Sequence, residues 1–163
     1  AIGMAEALTY HYFPGGKYEI LTTVLQNAQD ERIGGIVGFF EAAFRDSARP
    51  LRDVLAELIA GLAQRLAEDR AYFQILIRER GLLEQEQKES LDSVTRLPFE
   101  AMSAYLARRA EAGDLRQMDY QLAASQFLAH VVFGIIQNLL KDRAPDPAET
   151  DQLADFYVQL WGR

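Results

Sequence analysis

An all-α fold follows from three observations on this chain of 163 residues. Apolar residues return at the three- and four-residue spacing of one helix face in segment after segment. Glycine and proline punctuate the breaks between those segments. No stretch alternates apolar and polar residues around a tight turn, so no β-hairpin signal competes. No repeat, low-complexity tract or linker divides the body.

The first stripe is Leu21, Val24, Leu25 and Ala28, and it resumes at Ile33, Ile36, Val37, Phe40 and Phe44 with a phase step at Gly34 and Gly35. Paired glycines weaken a helix, so a long helix over 17–44 with a bend is expected. Pro50 suits the first turn of the next helix, whose face is Leu51, Val54, Leu55, Leu58, Ile59, Leu62 and Leu66. Tyr72, Phe73, Leu76 and Ile77 predict a short helix ending near Gly81. A polar run over 84–92 leads into Leu91, Val94, Met102, Tyr105 and Leu106; Pro98 interrupts that pattern and is expected to kink the helix or mark its start. Gly113 closes it, and Gly113-Asp114-Leu115-Arg116 reads as a turn.

Segment 119–140 is apolar on two sides. Leu122, Phe127, His130 and Gly134 lie on one; Leu128, Val131, Val132, Ile135 and Leu139 lie on another. Such a helix must be covered twice. Pro145 and Pro147 punctuate a loop, and a last helix over 149–161 presents Leu153, Phe156, Tyr157, Leu160 and Trp161.

Composition narrows the function. Hydrophobic residues at 49% and charged residues at 25% predict one globular core rather than disorder. The absence of cysteine excludes a disulfide framework, thiolate zinc sites and cysteine nucleophiles, and fits the cytoplasm, which is the expected location. With 17 Lys and Arg against 24 Asp and Glu, the net charge is −7, so any contact with nucleic acid must come from a small local element. No uninterrupted apolar run spans a bilayer: the longest candidate, 122–140, is broken by Ser125, Gln126, His130, Gln137 and Asn138. No membrane partner or signal peptide is expected. The sequence opens at Ala1 already inside a motif, so further residues are expected upstream.

Catalytic and metal chemistry find no support. Gly15-Gly16-Lys17 would need glycine at position 11 and Ser or Thr at 18 to cradle a phosphate, where His11 and Tyr18 stand. No G-x-S-x-G elbow occurs. The two histidines, His11 and His130, lack the Glu-x-x-His partners of a bundle metal site. Neither a cofactor nor an enzyme is expected. His130 reads first as a hydrogen-bonded core or interface histidine, because Phe127 and Gly134 lie one turn away, and second as a polar anchor in a ligand cavity.

At the N-terminus a short helix over 5–13 is crowded with Tyr10, His11, Tyr12 and Phe13, turns at Pro14-Gly15-Gly16 and restarts at Lys17. Alone it is too short to be stable. Tyr10, Tyr12, Phe13 and Lys17, with Gly3 in the turn before them, resemble the end of the recognition helix in the TetR/AcrR family of bacterial repressors, and Gly113-Asp114-Leu115-Arg116 resembles the turn before that family's eighth helix. Ala5, Glu6 and Thr9 depart from the pattern, which usually has Ser or Thr, a neutral or basic residue, and Leu there.

The resemblance implies a TetR-like ligand-binding and dimerisation domain over 18–163, preceded at 1–17 by the last part of a helix-turn-helix domain. Ala5, Glu6 and Ala7 would face base edges, Tyr10 and His11 phosphates or bases, and Lys17 a phosphate at a helix N-terminus. The implied function is a repressor that holds operator DNA as a homodimer and is released by a small, mostly apolar effector. Candidate pocket residues are Phe40, Phe44, Leu62, Tyr72, Phe73, Arg78, Met102, Tyr105, Phe127 and His130, although aromatic stripes, Phe133 included, are more often core. Candidate interface residues on the last two helices are Leu128, Val132, Ile135, Leu139, Phe156, Tyr157 and Leu160. The alternative is a helical small-molecule-binding or protein-interaction module without DNA binding.

Overall fold

A computed structural model of the chain describes residues 34–71 and 96–163 in full, together with Thr23 and the backbone of 85–95. Those residues form α1 (Gly34–Ala43), α2 (Leu51–Glu68), α3 (Gln85–Glu111), α4 (Tyr120–Leu140) and α5 (Pro147–Trp161). No strand occurs among the described residues; Leu115 and Gly162 make an isolated antiparallel bridge. The fold is all-α, as the periodicity predicts. The expected helix over 72–81 and the bend and earlier part of the 17–44 helix lie outside the described residues.

The stripe read for α2 is the face it buries: Leu51, Val54, Leu55, Leu58, Ile59 and Leu62, with Ala63 beside them and Leu66 half-buried. Pro50 stands at the N-cap, one residue before the first turn, and its carbonyl accepts from Asp53 and Val54. Helix α3 decides between the two readings of Pro98: the proline does not mark the start. The helix starts at Gln85 and runs through the proline, which forfeits one N–H bond. The polar run hid the start because Gln, Glu and Lys carry no stripe, yet they are good helix formers.

Both long helices end alike. At the end of α3, Asp114 N–H donates to Arg109 and Gly113 N–H to Ala110, with Gly113 at φ 91°. At the end of α4, Arg143 donates to Asn138 and Asp142 to Leu139, with Asp142 at φ 50°. These are Schellman ends, whose left-handed residue glycine satisfies without strain and Asp tolerates. Aspartates open the last two helices: Asp119 accepts from Leu122 N–H at 3.0 Å and Asp146 from Ala148 N–H at 2.9 Å. Pro147, expected in a loop, is the first residue of α5, where its missing N–H costs nothing.

Helix α3 packs on α4, α2 on α5, and α2 also meets α4. Trp161, Tyr105, Phe40 and Phe127 are the largest side chains fully inside. Phe127 meets Tyr157 edge-on at 5.0 Å and Trp161 at 5.8 Å. Arg116 N–H donates to the Trp161 carbonyl at 3.0 Å, tying the α3–α4 turn to the end of α5. Arg109, buried in α3, donates to the carbonyls of Ser47 at 3.0 Å and Arg49 at 2.6 Å and reaches the Asp114 carboxylate at 2.8 Å. One guanidinium thus fastens the α1–α2 loop to the end of α3.

Among the described residues α4 alone is long and apolar enough to cross a membrane, with a mean hydropathy of 1.4 over its best window. It packs on α3 and α2 with one face enclosed by the subunit.

Candidate functional site

The two faces of α4 have different neighbours. Ala123, Ala124, Phe127, Leu128, Val131 and Ile135 are enclosed by the subunit. On the opposite side Leu122, Phe133, Ile136 and Leu140 are 55%, 62%, 45% and 74% exposed, far more than large apolar side chains usually are in a group. With Gln126 and Ala129 they step along the helix by four, three, four, three and four residues, the spacing of a coiled-coil seam. On α5, Phe156 and Leu160 are exposed as well.

The predicted interface residues divide accordingly. Phe156 and Leu160 are exposed, and Val132 and Leu139 are half-buried. Leu128, Ile135 and Tyr157 are inside the subunit, where they cannot form a surface. Leu122, Phe133, Ile136 and Leu140 were missed as an outward group, and Phe133, read as core, is on the outside. The alternating four-three spacing was the signal that would have found them.

Six of the predicted pocket residues are buried within the subunit. Phe40, Phe44, Leu62, Met102, Tyr105 and Phe127 belong to the buried core. Phe44 stacks on Tyr105 with ring centroids 4.4 Å apart, and Phe40 meets Phe44 at 5.7 Å. Burial pushes the Tyr105 hydroxyl above its ordinary pKa, against the nearby Arg109 charge, which pulls it down. The Tyr105 hydroxyl has no hydrogen-bond partner among the described residues. Phe39, next along α1, lies against Gly61 of α2, where a Cβ would collide with the ring. Arg65 covers the same ring at 4.0 Å from its centroid. Helix α1 is therefore keyed to α2 through Phe39 and to α3 through Phe44. Tyr72, Phe73 and Arg78 lie outside the described residues, as do Ala5, Glu6, Ala7, Tyr10, His11 and Lys17.

The open space lies elsewhere, in a cleft of about 500 Å³ between α2, α4 and α5. Ile59 and Ala63 line it from α2, and Val131, Gly134, Ile135 and Asn138 from α4. Pro145, Asp146, Glu149, Thr150, Gln152, Leu153 and Phe156 complete it. His130 is the one residue of the predicted pocket found here. Its ring does not point into an apolar interior; the residue is exposed, with Nδ1 3.2 Å from the Tyr157 hydroxyl. Tyr157 is buried, which raises its hydroxyl pKa, and it donates to the Gln126 carbonyl at 3.3 Å. No group of three or more potential metal ligands occurs among the described residues.

A family model of the TetR C-terminal domain, described as that of AefR-like transcriptional repressors, matches residues 51–161. The chain belongs to the TetR family. No curated protein matches it. The match begins on the first residue of α2 and ends on the last of α5, so the cleft, the aromatic block on α3 and the exposed face of α4 all belong to the TetR C-terminal domain.

Proposed function

We propose that this TetR-family chain is the sensing and pairing body of a ligand-responsive repressor, which holds operator DNA as a homodimer through the segment at 1–17. The observation that carries this reading is the exposed seam on α4. A row of large apolar side chains at coiled-coil spacing, continued by Phe156 and Leu160, is what an isologous four-helix contact between two copies of α4 and α5 requires. Pairing fixes the separation of two recognition helices, so each meets a major groove one helical turn of DNA, or a multiple, from the other.

Effector binding then has a route to the DNA. Helix α1 is locked to α2 by Phe39 and to α3 by Phe44, so a shift of α2 or α3 carries α1 with it. In this reading the helix expected over 17–44 carries that shift toward the DNA-binding segment. A small, mostly apolar effector that favours one arrangement by about 1–3 kcal/mol changes operator affinity about 5- to 150-fold.

A gel shift of the full-length protein on the DNA upstream of its own gene, run beside sedimentation velocity, tests this reading. A retarded band and a dimer are expected. A stable single subunit that leaves the DNA unshifted at every concentration would overturn it in favour of a helical binding module.

A further inference from the structure

We propose that the α2–α4–α5 cleft binds a small aryl-alkyl amine, its ring on the apolar floor and its ammonium at the polar rim. This does not rest on the operator reading: a chain that never touched DNA would bind the amine equally well.

The hollow has a cause in the sequence. Ala63 and Gly134 face it from opposite helices, and a Cβ built on Gly134 meets no atom within 4 Å. Two of the smallest residues leave room where larger ones would have closed the helices together. About 500 Å³ falls within the roughly 300–1,000 Å³ of small-molecule sites. Ile59, Val131 and Leu153 supply an apolar floor for a ring.

The head group follows from hydrogen bonding and charge. Tyr157 has one proton, and it goes to the Gln126 carbonyl, which can only accept. With that proton on Gln126, the Tyr157 oxygen is free to accept from His130, in the tautomer that carries its hydrogen on Nδ1. In that tautomer Nε2 is an acceptor with no protein partner among the described residues. A ligand in the cleft with a donor can use it. The side chains of Asn138 and Thr150, also on the lining, likewise have no hydrogen bond from the described residues. Charge points the same way: Asp146 and Glu149 line the cleft and no Lys or Arg does. Glu149 is matched by Arg143, which lies outside the lining, whereas Asp146 has no ion pair among the described residues. A carboxylate ligand would meet like charge with no compensating cation, whereas an ammonium donates to Nε2 and faces Asp146.

Isothermal titration of the full chain at neutral pH with 2-phenylethylamine, 2-phenylethanol and 3-phenylpropionate separates these contributions, since the three share a ring and differ in head group. Affinity should fall in that order, with the amine at least about tenfold tighter than the carboxylate. Gly134→Leu puts a side chain into open space and should abolish amine binding with the melting temperature retained. His130→Ala, at an exposed position, should weaken the amine at least about fivefold. Any other order of affinities, or amine binding unchanged in both variants, would overturn the proposal.

Discussion

The two sides of α4 are built from the same kinds of residue and end in different circumstances. Toward the subunit, Phe127 is enclosed by Tyr157 and Trp161, and Val131 and Ile135 are buried beside the cleft. Toward solvent, Phe133, Ile136 and Leu140 project from the subunit. Hydropathy assigns both sides to the interior. What separates them is the geometry of the neighbours: among the described residues α2, α3 and α5 reach one side and no element covers the other. The inner face should therefore govern whether the subunit folds, and the outer face whether two subunits meet.

The sharpest way to break that division is through its two phenylalanines. Phe127→Ala leaves a void beside the Tyr157 and Trp161 rings and is expected to cost about 3–5 kcal/mol, read by chemical or thermal unfolding. Phe133→Glu puts a charge on the exposed seam, at a position repeated across a twofold axis. Equilibrium sedimentation should show pairing weakened about 100-fold or more. At dilutions where both proteins are single subunits, the two should melt alike. If Phe133→Glu destabilised the lone subunit as much as Phe127→Ala, the outer face would have to be covered from within and the comparison would collapse.

The limits of the sequence reading lie along the same line. Helix positions were legible because they depend on local periodicity and end signals: the α2 stripe, the Asp119 start and the Gly113 stop needed only nearby residues. Which apolar face is buried depends on elements far away in the chain, so Leu128 and Ile135 were placed outward and Phe133 inward. The α2–α4–α5 cleft was not legible for a related reason. Aromatic abundance near Phe44 and Tyr105 predicts mass, and mass fills space; the cleft lies instead where Ala63 and Gly134 withhold it. Small residues on facing helices are the signal for a hollow, but only the packing of α2 on α4 shows that these two face each other.

A smaller effect probes how α4 is held in register so that its faces point correctly. Asp119 accepts the Leu122 N–H and so fixes the first turn, the turn that carries the first residue of the exposed seam. Asp119→Ala should lower stability by about 1 kcal/mol and Asp119→Asn by much less, since the amide oxygen still accepts. For a domain of this size the Ala variant shifts the melting temperature by about 2–4 °C. The weakening of pairing should be slight beside that of Phe133→Glu, because the cap frays one turn and leaves Phe133, Ile136 and Leu140 in place.

The smallest effect at neutral pH belongs to Tyr105, and its pH dependence is more telling than its size. Its ring stacks on Phe44 and holds α1 to α3, while its hydroxyl is buried without a hydrogen-bond partner among the described residues. Tyr105→Phe keeps the stack and removes a desolvated polar group, so stability at pH 7 should change by no more than about 1 kcal/mol, in either direction. Burial raises the Tyr105 pKa above its ordinary value of 10.0. The folded chain therefore holds that proton more tightly than the unfolded chain does. The contribution is fully present below pH 10 and is lost as pH rises through the folded-state value. Denaturation curves above pH 10 should fall less steeply for Tyr105→Phe than for the parent, with Tyr157, also raised by burial, accounting for part of the slope that remains. Parallel alkaline profiles for the two proteins would mean that the Tyr105 hydroxyl ionises as freely in the folded chain as in the unfolded one. In that event the block that keys α1 to α3 would be more open to water than its packing indicates.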